Sequence, residues 1–180
     1  MPRLLLLLLL VLALLAATAL GGCASPINRV LANDYANIGY EAQANGDWDA
    51  ARRAYARAVS NAELAGESAQ GRAVLHYEYG RALGVTCFFD EAERELNLAF
   101  ELDKQSGQPL YMSLNELALL NLAQRKFAPA VGYFEHSFPE LDRVNGVRWG
   151  PTPYADLLTE YAAALSGVAR TADAETALVY

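Results

Sequence analysis

Basic side chains are scarce in this chain, and lysine is nearly absent. Lys104 and Lys126 are the only lysines among 14 basic residues, set against 21 acidic ones, for a formal net charge of −7. No polybasic patch forms, so nucleic acid and anionic lipid headgroups are poor partners on charge grounds. The two histidines, His76 and His136, stand apart, and neither has a second His or Cys at a ligand spacing. No metal site is therefore expected. A Gly-x-Ser-x-Gly elbow and a glycine-rich phosphate loop are both missing. Glu91, Glu93 and Glu95 with Arg94 read as a solvated helix start, with acids near the positive end of the dipole, rather than as acid–base machinery. These absences leave no catalytic constellation, so the chain reads as a non-enzyme. Sustained period-two alternation is also lacking, which argues against strands.

The amino terminus is the first feature present. Met1, Pro2 and Arg3 form a minimal positive start, and Leu4 to Leu20 are apolar apart from Thr18. A bilayer-spanning helix needs about 20 apolar residues. This run has 17 and breaks at Gly21-Gly22. Residues 1–22 therefore read as a secretory signal. Leu20-Gly21-Gly22-Cys23 resembles the lipobox of bacterial lipoproteins. That resemblance implies a diacylglycerol on the Cys23 thiol, acyl chains of the palmitate kind, and cleavage that makes Cys23 the first residue. Residues 23–25 would then be a short tether, and the covalent lipid the only non-protein group, with no other cofactor. Plain secretion with an incidental cysteine is the alternative. Ala24 and Ser25 follow with no Asp, which in Gram-negative lipoproteins implies the periplasmic face of the outer membrane. Removing the signal leaves 158 residues with 13 basic and 21 acidic side chains, enough for one domain with a core. With Cys23 acylated, Cys87 is the only free thiol, so no intramolecular disulfide is expected. Cys87 itself is read as a half-buried structural thiol in a turn.

The rest of the chain, 26–180, reads as helices. Ala, Leu, Glu, Arg and Gln dominate, and short breaks recur. Ser25-Pro26 and Thr152-Pro153 each place a capping hydroxyl before a proline, and Asp47 and Thr171 are further expected caps. The breaks are periodic: Gly46-Asp47, Cys87-Phe88, Arg125-Lys126 and Ala169-Arg170 are separated by 41, 38 and 44 residues. After each comes a small alanine (Ala51, Ala92, Ala130, Ala174), and four residues on a large apolar one (Tyr55, Leu96, Phe134, Leu178). Upstream lie Ile38-Gly39, Tyr79-Gly80, Leu117-Ala118 and Tyr161-Ala162.

These positions resemble the tetratricopeptide repeat, in its longer-helix variety known from kinesin light chains. The resemblance implies an all-α fold: a right-handed solenoid of about four antiparallel helix pairs, with repeats near 32–65, 73–106, 111–144 and 155–180 and the last truncated. One pair cannot bury its apolar face alone, whereas a stack makes a continuous core. Tyr35, Tyr55, Tyr79, Tyr133 and Tyr161 fall on packing positions. The first helix of each pair lines the concave, partner-binding face in this family. Carried over, that face holds Asn37, Tyr40, Tyr77, Arg81, Asn115 and Leu119, of which Tyr40, Tyr77, Arg81 and Asn115 have no evident packing task. The lysine of the family's carboxylate clamp is absent. The unfinished end, with Leu178 and Tyr180, is a second candidate interface.

A lipid-anchored, non-catalytic scaffold docking other cell-envelope proteins is the function expected from this resemblance, with assembly of a pilus, secretion or wall-synthesis machine as its setting. A self-associating or subunit-completing lipoprotein is the alternative, and a small-ligand carrier a more distant one.

Overall fold

The structure is a computed structural model and describes residues 25–145, 148 and 150–179. The expected signal at 1–22, Cys23 and Tyr180 lie outside the described residues. Eight helices and no strand occur among those described: α1 Pro26–Ala44, α2 Trp48–Leu64, α3 Ala69–Val85, α4 Phe89–Ser106, α5 Tyr111–Ala123, α6 Phe127–Arg143, α7 Pro151–Gly167 and α8 Thr171–Ala177. None is long and apolar enough to cross a membrane.

Local chemistry sets several of the helix starts. The Ser25 side chain accepts from the Asn28 amide at 3.4 Å with Pro26 at the first position, and Asp47 accepts from Ala50 N at 2.9 Å. Ser68 caps α3 through Gly71 N at 3.1 Å. Two expected caps are corrected. Helix α7 begins at Pro151, after Gly150, so Thr152 lies inside its first turn. Pro151 loses nothing at a position whose amide has no partner anyway, so the earlier proline of the pair starts the helix. Helix α8 is preceded by Arg170 rather than capped by Thr171; the Arg170 guanidinium instead holds the Asp173 carboxylate at 2.7 Å.

Within each pair the turn has one backbone solution. Gly46, Cys87, Arg125 and Ala169 all have positive φ, at 76°, 65°, 59° and 61°. They recur at the 41, 38 and 44 spacing of the sequence blocks. Only one of the four is glycine, so three turns hold an L side chain in the left-handed region.

Packing follows a small-against-large rule. Ala51, Ala92 and Ala130 are fully buried, and Tyr55, Leu96 and Phe134 nearly so. Across each hairpin the large side chain meets a small one on the first helix. A Cβ on Gly39 would sit 2.7 Å from the Tyr55 ring, and one on Gly80 would sit 2.7 Å from Leu96 Cγ. Ala118, in the same cluster as Phe134, holds the third such place. These contacts tie α1 to α2, α3 to α4 and α5 to α6. The apolar core runs along the stack, ending in Phe134, Leu157 and Leu165 with Tyr161 edge-on to Phe134 at 5.8 Å.

The stack also curves. Alternate helices α3, α5 and α7 touch in succession, whereas no comparable contact joins α2, α4 and α6 among the described residues. The first helices of the pairs therefore form the inner, concave side.

Candidate functional site

The concave candidates divide into two kinds. On α1, Asn37 and Tyr40 are exposed, Tyr40 to 68 %. Tyr77 and Arg81 on α3, with Asn115 and Leu119 on α5, are half-buried. Tyr77 departs from the expectation of having no packing task. Tyr77 packs on the cluster of Leu83, Leu96, Leu117 and Leu120, and Leu119 packs on the carboxyl-terminal cluster around Phe134. Stacking explains Tyr77, whose cluster includes Leu117 and Leu120 of the next repeat.

Arg81 is the centre of a network joining three repeats. Its guanidinium meets Glu78 Oε2 at 3.2 Å and Glu116 Oε2 at 3.4 Å, and lies over the Tyr77 and Trp48 rings at 5.6 and 6.0 Å. The Gln43 amide of α1 lies 3.2 Å from both Glu78 Oε2 and Arg81 Nη1, and 3.1 Å from Tyr55 Oη. Turning its nitrogen to Glu78 and Tyr55 and its oxygen to Arg81 satisfies all three. Burial, aided by the Glu116 and Glu78 charges and opposed by Arg81, pushes the Tyr77 phenol up. Tyr55 is pushed up to about 12, first by burial and then by Glu78. Burial also raises the Glu116 carboxyl, and Arg81 only partly offsets it.

This electrostatic arrangement sets what the groove can hold. Arg81 is already engaged by two carboxylates and one aromatic face on its own helix. It offers no free cation to an incoming carboxylate, in keeping with the absent clamp lysine. Beyond it, a depression of about 470 Å³ opens between α5 and α7, lined by Tyr111, Asn115, Leu141, Tyr154 and Leu157. Asn115 Oδ1 is buried there without a hydrogen-bond partner. An unpaired buried acceptor costs about 1–3 kcal/mol until a donor arrives.

Other sequence readings resolve differently. Cys87 is exposed at a positive-φ turn position, not half-buried. His76 is almost wholly buried, and its Nδ1 lies 2.6 Å from Glu95 Oε2 across α3 and α4, so neither His76 nor Glu95 is solitary or merely solvated. The repeat register places both on facing helices, and that signal could have found the pair. Leu178 is 59 % exposed and Val179 86 %, just past α8, which stops at Ala177. Among the described residues no group of three His, Cys, Asp or Glu side chains is placed to hold a metal ion.

Known structures contain this architecture. The chain superposes on the TPR2B domain of yeast Sti1, solved in its complex with pHsp70, with a TM-score of 0.63 at 20% identity. The match covers 76% of this chain and 98% of that domain. The fold is a tetratricopeptide-type helical solenoid. No protein-family model matches the sequence, and no curated protein sequence matches it significantly.

Proposed function

We propose that the chain is a non-catalytic docking scaffold of the cell envelope. In this reading a lipid on Cys23 holds it at the periplasmic face of the outer membrane. Its concave face takes an extended segment of another envelope protein and so aids assembly of a larger envelope machine. One observation carries the reading: the depression of about 470 Å³ between α5 and α7, lined by Tyr111, Asn115, Tyr154 and Leu157. An extended partner laid in this depression packs on its Tyr111, Tyr154 and Leu157 lining, and the exposed Tyr40 ring adds rigid contact area at the other end of the strip. With Arg81 neutralised by Glu78 and Glu116, the groove favours partners offering donors or cations over ones ending in carboxylates.

Direct binding to a peptide library tests this. Tyr77→Ala and Arg81→Ala are poor probes, since both side chains also hold the fold together. Tyr40→Ala with Asn115→Ala is expected to keep the thermal melt near wild type and weaken peptide binding at least tenfold, as truncating a hot-spot aromatic costs about 2 kcal/mol. Unchanged affinity in that double variant defeats the groove reading. The exposed Leu178 and Val179 favour a second reading, in which this end of the array meets another copy or a neighbouring subunit. Retained partner binding in the groove variant, lost in Leu178→Glu, selects it.

A further inference from the structure

The outward side of α1 is unusual among the described surfaces. Pro26, Ile27, Val30 and Leu31 line an almost wholly apolar hollow of about 390 Å³ on its first two turns. Ile27 is 70 % exposed and Val30 59 %. Only Ala32 and Gly39 of this helix are buried, on the side that faces α2. Arg29 pairs with Glu67 at 3.1 Å, which fixes the α2–α3 turn beside the start of α1. Leu64, the last residue of α2, is 66 % exposed just ahead of that turn.

We infer that this patch, Ile27, Val30 and Leu31, is seated in the lipid interface and sets the orientation of the solenoid on the membrane. The inference rests on the lipid-anchor reading of Cys23 given above. Only Ala24 and Ser25 separate that residue from Pro26, and Ser25 is already fixed as the cap of α1. Three residue steps span no more than about 10 Å even when fully extended. An acylated Cys23 thus holds the first turn of α1 within the depth of about 5–10 Å at which interfacial helices bury their apolar side. The occupant follows from chemistry as well as reach. The patch carries no charge, and the chain is acidic, so contact through anionic headgroups is unfavourable and insertion of apolar side chains is the remaining attraction. Asp34, exposed one turn beyond Val30 and Leu31 on the same side, limits immersion to the first two turns. The helix then enters end-first at a slant, and the concave face behind it is left open to the aqueous side.

The full chain, processed in a bacterium and reconstituted in vesicles of phosphatidylethanolamine and phosphatidylglycerol, supplies the test. A benzophenone amino acid replaces Ile27 or Val30, and replaces Leu98 of α4, 42 % exposed, as an apolar control. Illumination is expected to give lipid adducts at 27 and 30 and none at 98, read by mass spectrometry. Val30→Glu is expected to abolish the adduct at 27 while the chain still co-sediments with vesicles. A chain that co-sediments but yields no lipid adduct, or yields a crosslinked dimer at 30, overturns the interfacial seat and leaves the anchor standing. An adduct at 27 that survives Val30→Glu unchanged reflects proximity to the tether and also overturns it. A chain that fails to co-sediment defeats both readings together.

Discussion

Gly80 and Leu96 offer a sharp probe of the fold, because the hairpin of α3 and α4 closes on that pair. Adding a methyl as Gly80→Ala places a Cβ 2.7 Å from Leu96 Cγ, 2.9 Å from Cδ2 and 3.3 Å from the Leu96 backbone nitrogen. Contacts below 3 Å force movement, and Leu96 is fully buried, so it cannot swing into solvent. Overpacking of this kind costs about 1–3 kcal/mol. Against it stands the better helix propensity of alanine, about 1 kcal/mol. The net expectation for Gly80→Ala is a loss of about 0–2 kcal/mol, or a melting point lower by up to about 8 °C. Leu96→Ala leaves a cavity and costs about 2–5 kcal/mol. In the double variant the added methyl enters space that Leu96 vacated, so Gly80→Ala becomes neutral or stabilising in that background. The cycle should therefore show a favourable coupling of about 1–3 kcal/mol, well above the roughly 0.5 kcal/mol within which independent sites add. Urea titrations followed by circular dichroism on the domain from Ser25 onward supply the four values. Additive losses would refute the small-against-large contact, and with it the repeat register drawn from sequence.

Cys87→Gly should stabilise the same domain by about 1 kcal/mol, since it relieves an exposed L residue at φ 65°; a lower urea midpoint would contradict the turn geometry. Burial raises the Glu116 carboxyl in the folded state, so folded protein binds that proton more readily than unfolded chain. Its unfavourable contribution is therefore present above the raised folded value and fades as pH falls through it. Wild type should gain stability relative to Glu116→Gln as pH falls from neutral to mildly acidic, and paired melts whose difference stays constant, or moves in favour of the glutamine variant, would refute this. Cys23→Ser should abolish incorporation of a fatty-acid probe and release the domain from membranes; a wild-type chain that takes up no probe would refute the lipid anchor.

Much of the fold was legible in the residues themselves. Close helix approach needs a missing or minimal side chain, so Gly39, Gly80, Ala51, Ala92 and Ala130 mark the contacts, and Tyr55, Leu96 and Phe134 mark what fills them. Local signals also worked where they act within one turn, as at Ser25 and Asp47. They failed where a competing contact lay elsewhere: Arg170 engages Asp173, and Pro151 starts α7 ahead of Thr152. The backbone of the turns at Cys87, Arg125 and Ala169 was legible as a recurrent spacing, not as a residue type, because only Gly46 carries the glycine that a left-handed position favours.

What a groove side chain is free to do belongs to the tertiary structure alone. Sequence assigns Tyr77, Arg81 and Leu119 to the concave side. Whether each has a packing or pairing partner depends on the following repeat, some 35 to 40 residues away in the chain. Stacking supplies Glu116 to Arg81, and Leu117 and Leu120 to the cluster on which Tyr77 packs, whereas Leu119 packs on a cluster that its own hairpin partner α6 and the following α7 build together. It leaves Asn115 Oδ1 without a donor and Tyr40 in solvent. The same rule separates the two ends of the array. The repeat pattern puts Leu178 at the position that Leu96 and Phe134 fill, yet those two are buried and Leu178 is exposed. Burial of that position needs a neighbour on the far side, and α8 has none among the described residues.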